Sequence, residues 1–417
     1  MSLSNSSSQS SNKIGLTLLF SSRIARSFAA GAISVAIPLY FKDSLHLSYL
    51  LIGILFGSGA FASPVLSYLF GAWGDRFGRK KMLLFGLAFL PISILILIAT
   101  TFYPLLLIAS ALGGFGIAGG LVGGGVGAFV APMQSALVAE KSTRQNRTTV
   151  YTLFTMLSNF AGALGALILV ILTNYIDLFY FTFIFTVLSL LLIIPLKETF
   201  KPEKRQAENK NSAKKGNITD QDKKIIRKFT MTGIFNGLGQ GLITPFLAII
   251  FQQYFFLSEG EIGTVIAIGG IITTTAMIGT PYLTKKLGFV NFITISRAIS
   301  SIFVLLFPFS PSATIAVFCY WIFTFTRVIA LPSQMALMMN LVSERARSEA
   351  SGTNQAARLF PLATSTSLSG DILDTMPLYI SFGLAFIISI FNLLLYQKFF
   401  GNAEIEDKDQ HVNATAS

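Results

Sequence analysis

From residue 17 to residue 397 the chain alternates long apolar stretches with short polar ones. Twelve apolar spans can be drawn: 17–41, 49–70, 82–102, 105–138, 148–173, 178–196, 229–256, 262–283, 291–309, 312–341, 350–368 and 376–397. Each reaches about 20 residues, the length a helix needs to cross a hydrocarbon core of about 30 Å. The fourth and tenth are longer than a crossing needs, which predicts tilt or bending there. Residues 201–222 are polar and without periodicity and divide six spans from six, as a linker would. Met1 to Asn12 is Ser-rich, with neither a charged start nor a cleavage site, and reads as a disordered polar tail, not a signal peptide.

Composition agrees with lipid as the solvent. Of 417 residues, 53% are hydrophobic and only 12% charged, against about 25% charged in soluble domains. Cys319 is the single cysteine, so neither an internal disulfide nor a cysteine metal site is possible. The two histidines, His46 and His411, lie outside the apolar runs. This argues against a zinc site or a buried histidine relay, and no cofactor is expected.

The net charge of +12 changes meaning once it is placed. Arg76, Arg79, Lys80, Lys81, Lys141, Arg144, Arg147, Lys285, Lys286, Arg345 and Arg347 fall in alternate loops, on the same side as the Lys/Arg-rich segment from Lys197 to Lys228. The opposite loops hold Lys42 and otherwise Asp43, Asp177, Glu259, Glu261, Asp371 and Asp374. This asymmetry follows the positive-inside rule and puts both termini in the cytoplasm. The charge is a topology signal facing solvent or lipid headgroups, and no nucleic-acid partner is expected.

Two short motifs recur. Leu47-Ser48-x-x-x-Ile52-Gly53 returns as Leu257-Ser258-x-x-x-Ile262-Gly263, and Pro132-x-Gln134-x-Ala136-Leu137 as Pro332-x-Gln334-x-Ala336-Leu337. Both pairs fall at equivalent places in the two sets of six spans, which indicates duplication. The most charged stretch between early spans is Gly71-Ala72-Trp73-Gly74-Asp75-Arg76-Phe77-Gly78-Arg79-Lys80-Lys81. It cannot continue an apolar span, because one central Asp or Arg costs roughly 2.5–3.5 kcal/mol on insertion scales. A tight, solvated turn is expected there. It has a weak echo, without the acid, at Thr284-Lys285-Lys286-Leu287-Gly288.

The G-x-x-x-D-R-x-G-R-K wording of that stretch, the span count, the repeat and the central linker together resemble the major facilitator superfamily over about residues 14–400. The resemblance implies an all-α membrane protein, with twelve transmembrane helices in two pseudo-symmetric six-helix bundles. The expected division is a tail at 1–13, bundles at 14–200 and 225–400 joined by a linker at 201–224, and a tail at 401–417. It also implies a monomer in the cell membrane, and a central cavity lined by helices 1, 4, 7 and 10. It assigns Gly71, Asp75, Arg76, Gly78 and Arg79 to gating, with Asp75 meeting the start of helix 11 near Ser348 to Gly352. Without the resemblance, the same stretch reads as a turn that anchors topology.

Candidate substrate residues are the polar groups inside spans. Arg327 lies midway along span ten, where an ionisable group is costly and usually faces a cavity. The alternative is pairing with a backbone carbonyl between helices. Gln334 shares its face, near Pro332 where the helix can bend. Arg358 sits deep in span eleven. Arg26, one turn beyond Arg23 in span one, either snorkels or faces inward. Arg297, near the cytoplasmic end of span nine, reads as an anchor. Asn236, Gln240 and Thr244 form one polar stripe on span seven, beside a stripe of Gly233, Gly237 and Gly241 that permits close helix contact. The amides line the cavity or bond across helices. Asn159 is a lone amide that reads as interhelical glue. Nine glycines between Gly113 and Gly127 give span four two small-residue faces; no strand precedes them, so they do not read as a nucleotide fingerprint.

The absences are informative. No Asp or Glu occupies the middle of a span; the nearest, Glu140, lies at the end of span four. The buried ionisable groups are arginines, which favours an anionic or neutral solute over a cation. The arginine often found early in helix 4 of the family, and the Gly-Pro motif of its drug/proton antiporters, are missing. The expectation is a secondary transporter of a small organic solute working by alternating access with a coupling ion. The rivals are a drug or metabolite efflux antiporter and a non-transporting membrane sensor. An enzyme is not expected, since no nucleophile–base pair lies within the spans and no phosphate-binding Gly-Lys-Ser/Thr loop occurs.

Overall fold

A computed structural model describes residues 2–117, 128–142, 147–197, 219–343 and 346–415, without the side chains of 2–12, 72, 75, 117, 128, 132, 147, 148, 348 and 402–415. Among the described residues all regular structure is helical. The α-helices are α1 (Ser2–Asp43), α2 (Tyr49–Phe77), α3 (Arg79–Ala99), α4 (Tyr103–Gly113), α5 (Ala131–Lys141), α6 (Arg147–Ala166), α7 (Tyr175–Leu191), α8 (Asp220–Gly241), α9 (Leu247–Phe255), α10 (Glu259–Ala276), α11 (Thr280–Leu287), α12 (Phe289–Leu306), α13 (Ala313–Leu341), α14 (Arg347–Thr375) and α15 (Leu378–Thr415). Nine helical stretches among the described residues are long and apolar enough to cross a membrane. Three of the expected spans do not appear in that form. In span four, α4 ends at Gly113 with Gly114 as its left-handed cap at φ 68°, α5 covers Ala131–Lys141, and residues 118–127 lie outside the described residues. Span six is the 17-residue α7. Span eleven, α14, is long but carries as much polar as apolar character.

Polarity is arranged for lipid. Ser22, Ser93, Ser110, Thr182, Thr232 and Thr366 are fully buried, whereas Ile171, Ile184, Leu368 and Ile387 are more than 60% exposed. In a bilayer the backbone satisfies itself along the helix, apolar side chains face outward at no cost, and hydroxyls turn inward to find acceptors. Ser22 on α1 does so, donating to the Ser189 carbonyl on α7 at 2.7 Å.

The chain forms two compact units, one of residues 1–208 with 244–271, the other of 209–243 with 272–417. In the first, Leu19, Phe70, Leu83, Phe129, Leu137 and Ile193 belong to one buried cluster. In the second, Phe229, Ile293, Leu337, Tyr396 and Phe400 belong to another. Close helix contacts depend on glycine. A Cβ on Gly237 of α8 would lie 2.0 Å from the Arg358 carbonyl oxygen of α14, and one on Gly241 would lie 2.1 Å from Ser365 Oγ. With Gly233 against Asn354 and Ala357, the expected glycine stripe is the face on which α8 and α14 meet.

Two expectations need correction. Span seven is not one straight helix: α8 ends at Gly241, and a 3-10 turn at Thr244–Phe246 leads into α9. Pro245 supplies no N–H for a continuous ladder. Thr244 therefore opens a 3-10 turn and does not continue α8. At the other end, α1 begins at Ser2, so helix runs back through the Ser-rich start. Ser and Asn cost a helix only up to about 0.7 kcal/mol each relative to Ala.

Candidate functional site

The charged stretch after span two is helical to its end. α2 runs through Gly71, Asp75 and Arg76 to Phe77, and only Gly78 breaks it. The correction has a simple cause: leaving lipid is a matter of polarity, whereas ending a helix needs a residue that can reverse the backbone. Gly78 adopts φ 103°, ψ 134°, and its N–H still bonds the Gly74 carbonyl; α3 restarts at Arg79. Gly288 repeats this between α11 and α12, with φ 84°, ψ 162° and its N–H on the Thr284 carbonyl. A side chain at such angles is strongly disfavoured. The echo seen in the sequence is thus a shared backbone turn. Arg76 is exposed and lies over the Phe77 ring at 5.2 Å. The Asp75 side chain lies outside the described residues, as do the glycines from Gly119 to Gly127. A Cβ at Gly71 would meet nothing within 4 Å, so packing does not demand glycine there.

The candidate substrate residues divide between the units. In the first, Arg26 is 2% exposed and donates Nη2 to Gln134 Oε1 at 2.9 Å. It faces inward and does not snorkel. Arg23 binds Ser158 Oγ through Nε at 2.8 Å and lies over the Phe154 ring at 5.7 Å. The amide nitrogen of Gln134 is buried without a hydrogen-bond partner. Asn159, expected as glue, leaves its Nδ2 unbonded.

In the second unit, Arg327 and Asn236 come together. Arg327 Nη2 donates to the Asn236 carbonyl at 3.4 Å and to its Oδ1 at 3.3 Å. Both line a cavity bounded also by α12 and α15. Gln334 is not free to serve that cavity: its Oε1 accepts from Arg297 Nη2 at 2.6 Å. Arg358 and Gln240 are half-buried and, among the described residues, no partner bonds their side chains. Arg297, expected as an anchor, instead turns inward. It lies over the Tyr396 ring at 5.2 Å and borders the same cavity as Arg327. Ser300 and Ser301 follow Arg297 by a turn, are buried and share its inward face, but near the end of a span the sequence alone does not separate this from snorkelling. Among the described residues no carboxylate pairs with Arg297, Arg327 or Arg358.

A second polar cluster, read from sequence only as loop charge, ties residues 244–271 into the first unit. The Tyr175 hydroxyl meets Asp43 Oδ2 at 3.1 Å and also Glu259 Oε1. Gln252 Nε2 donates to the same Asp43 oxygen at 2.7 Å, and the Tyr49 hydroxyl donates to Gln253 at 2.6 Å. Burial, then the Glu259 and Asp43 carboxylates, push the Tyr175 phenol up from its ordinary value, so it remains a donor. No group of three or more His, Cys, Asp or Glu able to hold a metal occurs among the described residues.

Comparison with known proteins agrees with this architecture. A 131-residue stretch is 30% identical to Multidrug resistance protein 2 of Bacillus subtilis (strain 168), covering 31% of this chain and 30% of that protein. A 134-residue stretch is 28% identical to Multidrug resistance protein 1 of the same organism, covering 32% of each. The chain thus spans about a third of the length of these relatives. Among solved structures, the nucleoside transporter NupG matches with a TM-score of 0.75 at 12% identity, over 93% of this chain and 100% of that one. A D-xylose-proton symporter matches with a TM-score of 0.72 at 15% identity, over 92% and 97%. The human organic anion transporter MFSD10 matches with a TM-score of 0.62 at 15% identity, over 93% and 99%. At such identities these structures establish the fold alone. The model of the Major Facilitator Superfamily matches residues 19–366, and the chain is an integral, multi-pass membrane protein belonging to that family of transporters.

Proposed function

We propose that this protein is a secondary active transporter of a small organic solute, anionic or neutral, working by alternating access between two bundles. The observation that carries this reading is the cavity bordered by Arg327 and Asn236 in a unit where Arg297, Arg327 and Arg358 have no carboxylate partner among the described residues. A buried charge without a counter-charge is costly, and a bound anion offsets that cost. Arg327 and Asn236 contact the solute in this reading. Arg358, Gln240, Gln334 and Arg26 complete its recognition, Gln334 through Arg297. Gly71, Asp75, Arg76, Gly78 and Arg79 gate the path. The protein works as a monomer in the cell membrane with both termini cytoplasmic, without a cofactor and with a coupling ion.

The test is uptake of a labelled solute panel into proteoliposomes under imposed pH gradients. Anion flux is expected, and Arg327→Ala should abolish it while any neutral-solute flux persists. Equal loss of all fluxes would reduce Arg327 to a structural role. Asp75→Asn should impair flux with insertion intact; normal flux would remove Asp75 from the gate. The second reading, drug or metabolite efflux, is favoured by the two multidrug resistance relatives. Flux confined to hydrophobic cations in the same panel would establish it instead.

A further inference from the structure

The cavity in the second unit holds more than the residues that led to it. Its volume is about 40 Å³, and its lining includes Arg297, Arg327, Asn236, Asn392, Ser300 and Ser389. By a measure in which one water takes roughly 10–15 Å³, this is room for about three non-hydrogen atoms, the size of a carboxylate group. Among the described residues no Asp or Glu lines it.

Its two cations are held differently. Arg297 is fixed on one side: Nη2 on Gln334 at 2.6 Å and the guanidinium over the Tyr396 ring at 5.2 Å. With the Asn392 amide turned to satisfy both neighbours, its oxygen accepts from Arg297 Nη1 at 3.2 Å and its nitrogen donates to the Thr232 carbonyl at 3.2 Å. These acceptors are neutral amides, so they orient the guanidinium and leave its charge uncompensated. Among the described residues Arg327 has only the long contacts to Asn236, which leaves most of its five N–H donors for something else. A guanidinium presents paired donors in a plane, which match the two oxygens of a carboxylate.

The geometry points to a carboxylate-sized anion site between Arg297 of α12 and Arg327 of α13, inside the second unit, with Arg297 as a direct binding residue. The rest of the solute lies outside this small space. This inference rests on the proposed anion transport and names the head group that transport recognises. It also gives α12 a part in binding that neither its position near the end of a span nor the family resemblance assigns.

The test titrates the purified full-length chain in detergent with acetate at constant ionic strength. A ligand that binds only the folded state raises the unfolding midpoint with concentration, which yields an apparent affinity. Acetate is expected to bind, and inorganic phosphate, bulkier, to bind more weakly. Arg297→Gln should weaken acetate binding at least tenfold, and Arg297→Lys less. Because an arginine variant can fail to fold, Ser389→Leu is the companion: it keeps both guanidiniums and fills the space, and should abolish binding. Unchanged acetate affinity in Arg297→Gln or in Ser389→Leu overturns the site, and tighter binding of phosphate overturns the carboxylate assignment. Either result leaves anion transport standing if anion flux persists in proteoliposomes. No binding of either anion, together with flux of neutral solutes alone, sinks the transport reading as well.

Discussion

Arg297 on α12 donates to Gln334 on α13 at 2.6 Å, a cation bound to a neutral acceptor within an apolar unit. Truncating the acceptor in Gln334→Leu removes one of the few groups that solvate this charge. A hydrogen bond to a charged group contributes roughly 1.5–3 kcal/mol, so the variant should unfold at lower temperature by that order of stability, read by thermal unfolding in detergent. Gln334→Glu supplies a counter-charge instead and should fold normally while losing anion affinity. Normal anion affinity in the Glu variant would show that the uncompensated charge of Arg297 does not matter for binding.

Helix contact in the second unit depends on a missing side chain. A Cβ at Gly237 would sit 2.0 Å from the Arg358 carbonyl oxygen, whereas one at Gly352 would meet nothing within 4 Å. Gly237→Val should therefore abolish monodisperse, folded protein on size-exclusion chromatography, and Gly352→Ala should be neutral. A well-behaved Gly237→Val protein would mean that α8 and α14 can separate without unfolding.

The turn at Gly78 makes a narrower prediction. At φ 103°, a residue with a Cβ is strained by about 1–3 kcal/mol. Gly78→Ala and Gly288→Ala should each lower the unfolding midpoint, and the double variant should lose about the sum. Independent sites add within about 0.5 kcal/mol; a larger departure would reveal coupling between the turns.

Asp222 lies ahead of the apolar span that starts at residue 229 and is 3% exposed. Its carboxylate accepts from the Ser343 N–H at 2.9 Å, from Thr219 Oγ1 at 2.7 Å and from Ser343 Oγ at 2.8 Å. These bonds, the Ser343 backbone first, hold its pKa below the ordinary 3.8. A depressed pKa stabilises the fold above the ordinary value, and that stability is lost as pH falls through the folded one. Asp222→Asn should be less stable at pH 7 and should lack this part of the acid-induced loss below about pH 4, measured as unfolding midpoint against pH. An identical acid profile in both proteins would exclude the role.

What could be read from sequence differs by kind of residue. The inward placement of Arg327 and Asn236 was legible because a charge or amide deep in an apolar run has few places to go, though not that Arg327 also meets the Asn236 carbonyl; the stripe of Gly233, Gly237 and Gly241 was legible because its spacing is that of one helix face. Arg297 was not legible. Near the end of a span, snorkelling and inward burial predict the same residue, and only the partner, Gln334, distinguishes them. The cluster of Asp43, Tyr175, Gln252 and Glu259 was hidden for another reason. Its members lie far apart in the chain, and acids next to apolar spans look alike whether they face water or each other. The break after Gly241 was missed because Pro245 was read within an apolar run, where hydrophobicity hides a change of backbone direction.

Gly78 and Gly288 share a backbone turn although the first is surrounded by Asp75, Arg76 and Arg79 and the second only by Lys285 and Lys286. The shape of each turn is set by one residue that has no side chain, so the neighbouring side chains are free of any duty to make it. Charge can then be acquired or discarded at either corner without altering the path of the helices that meet there. Corners of similar backbone and unequal charge let each of the two units respond in its own way to whatever approaches it.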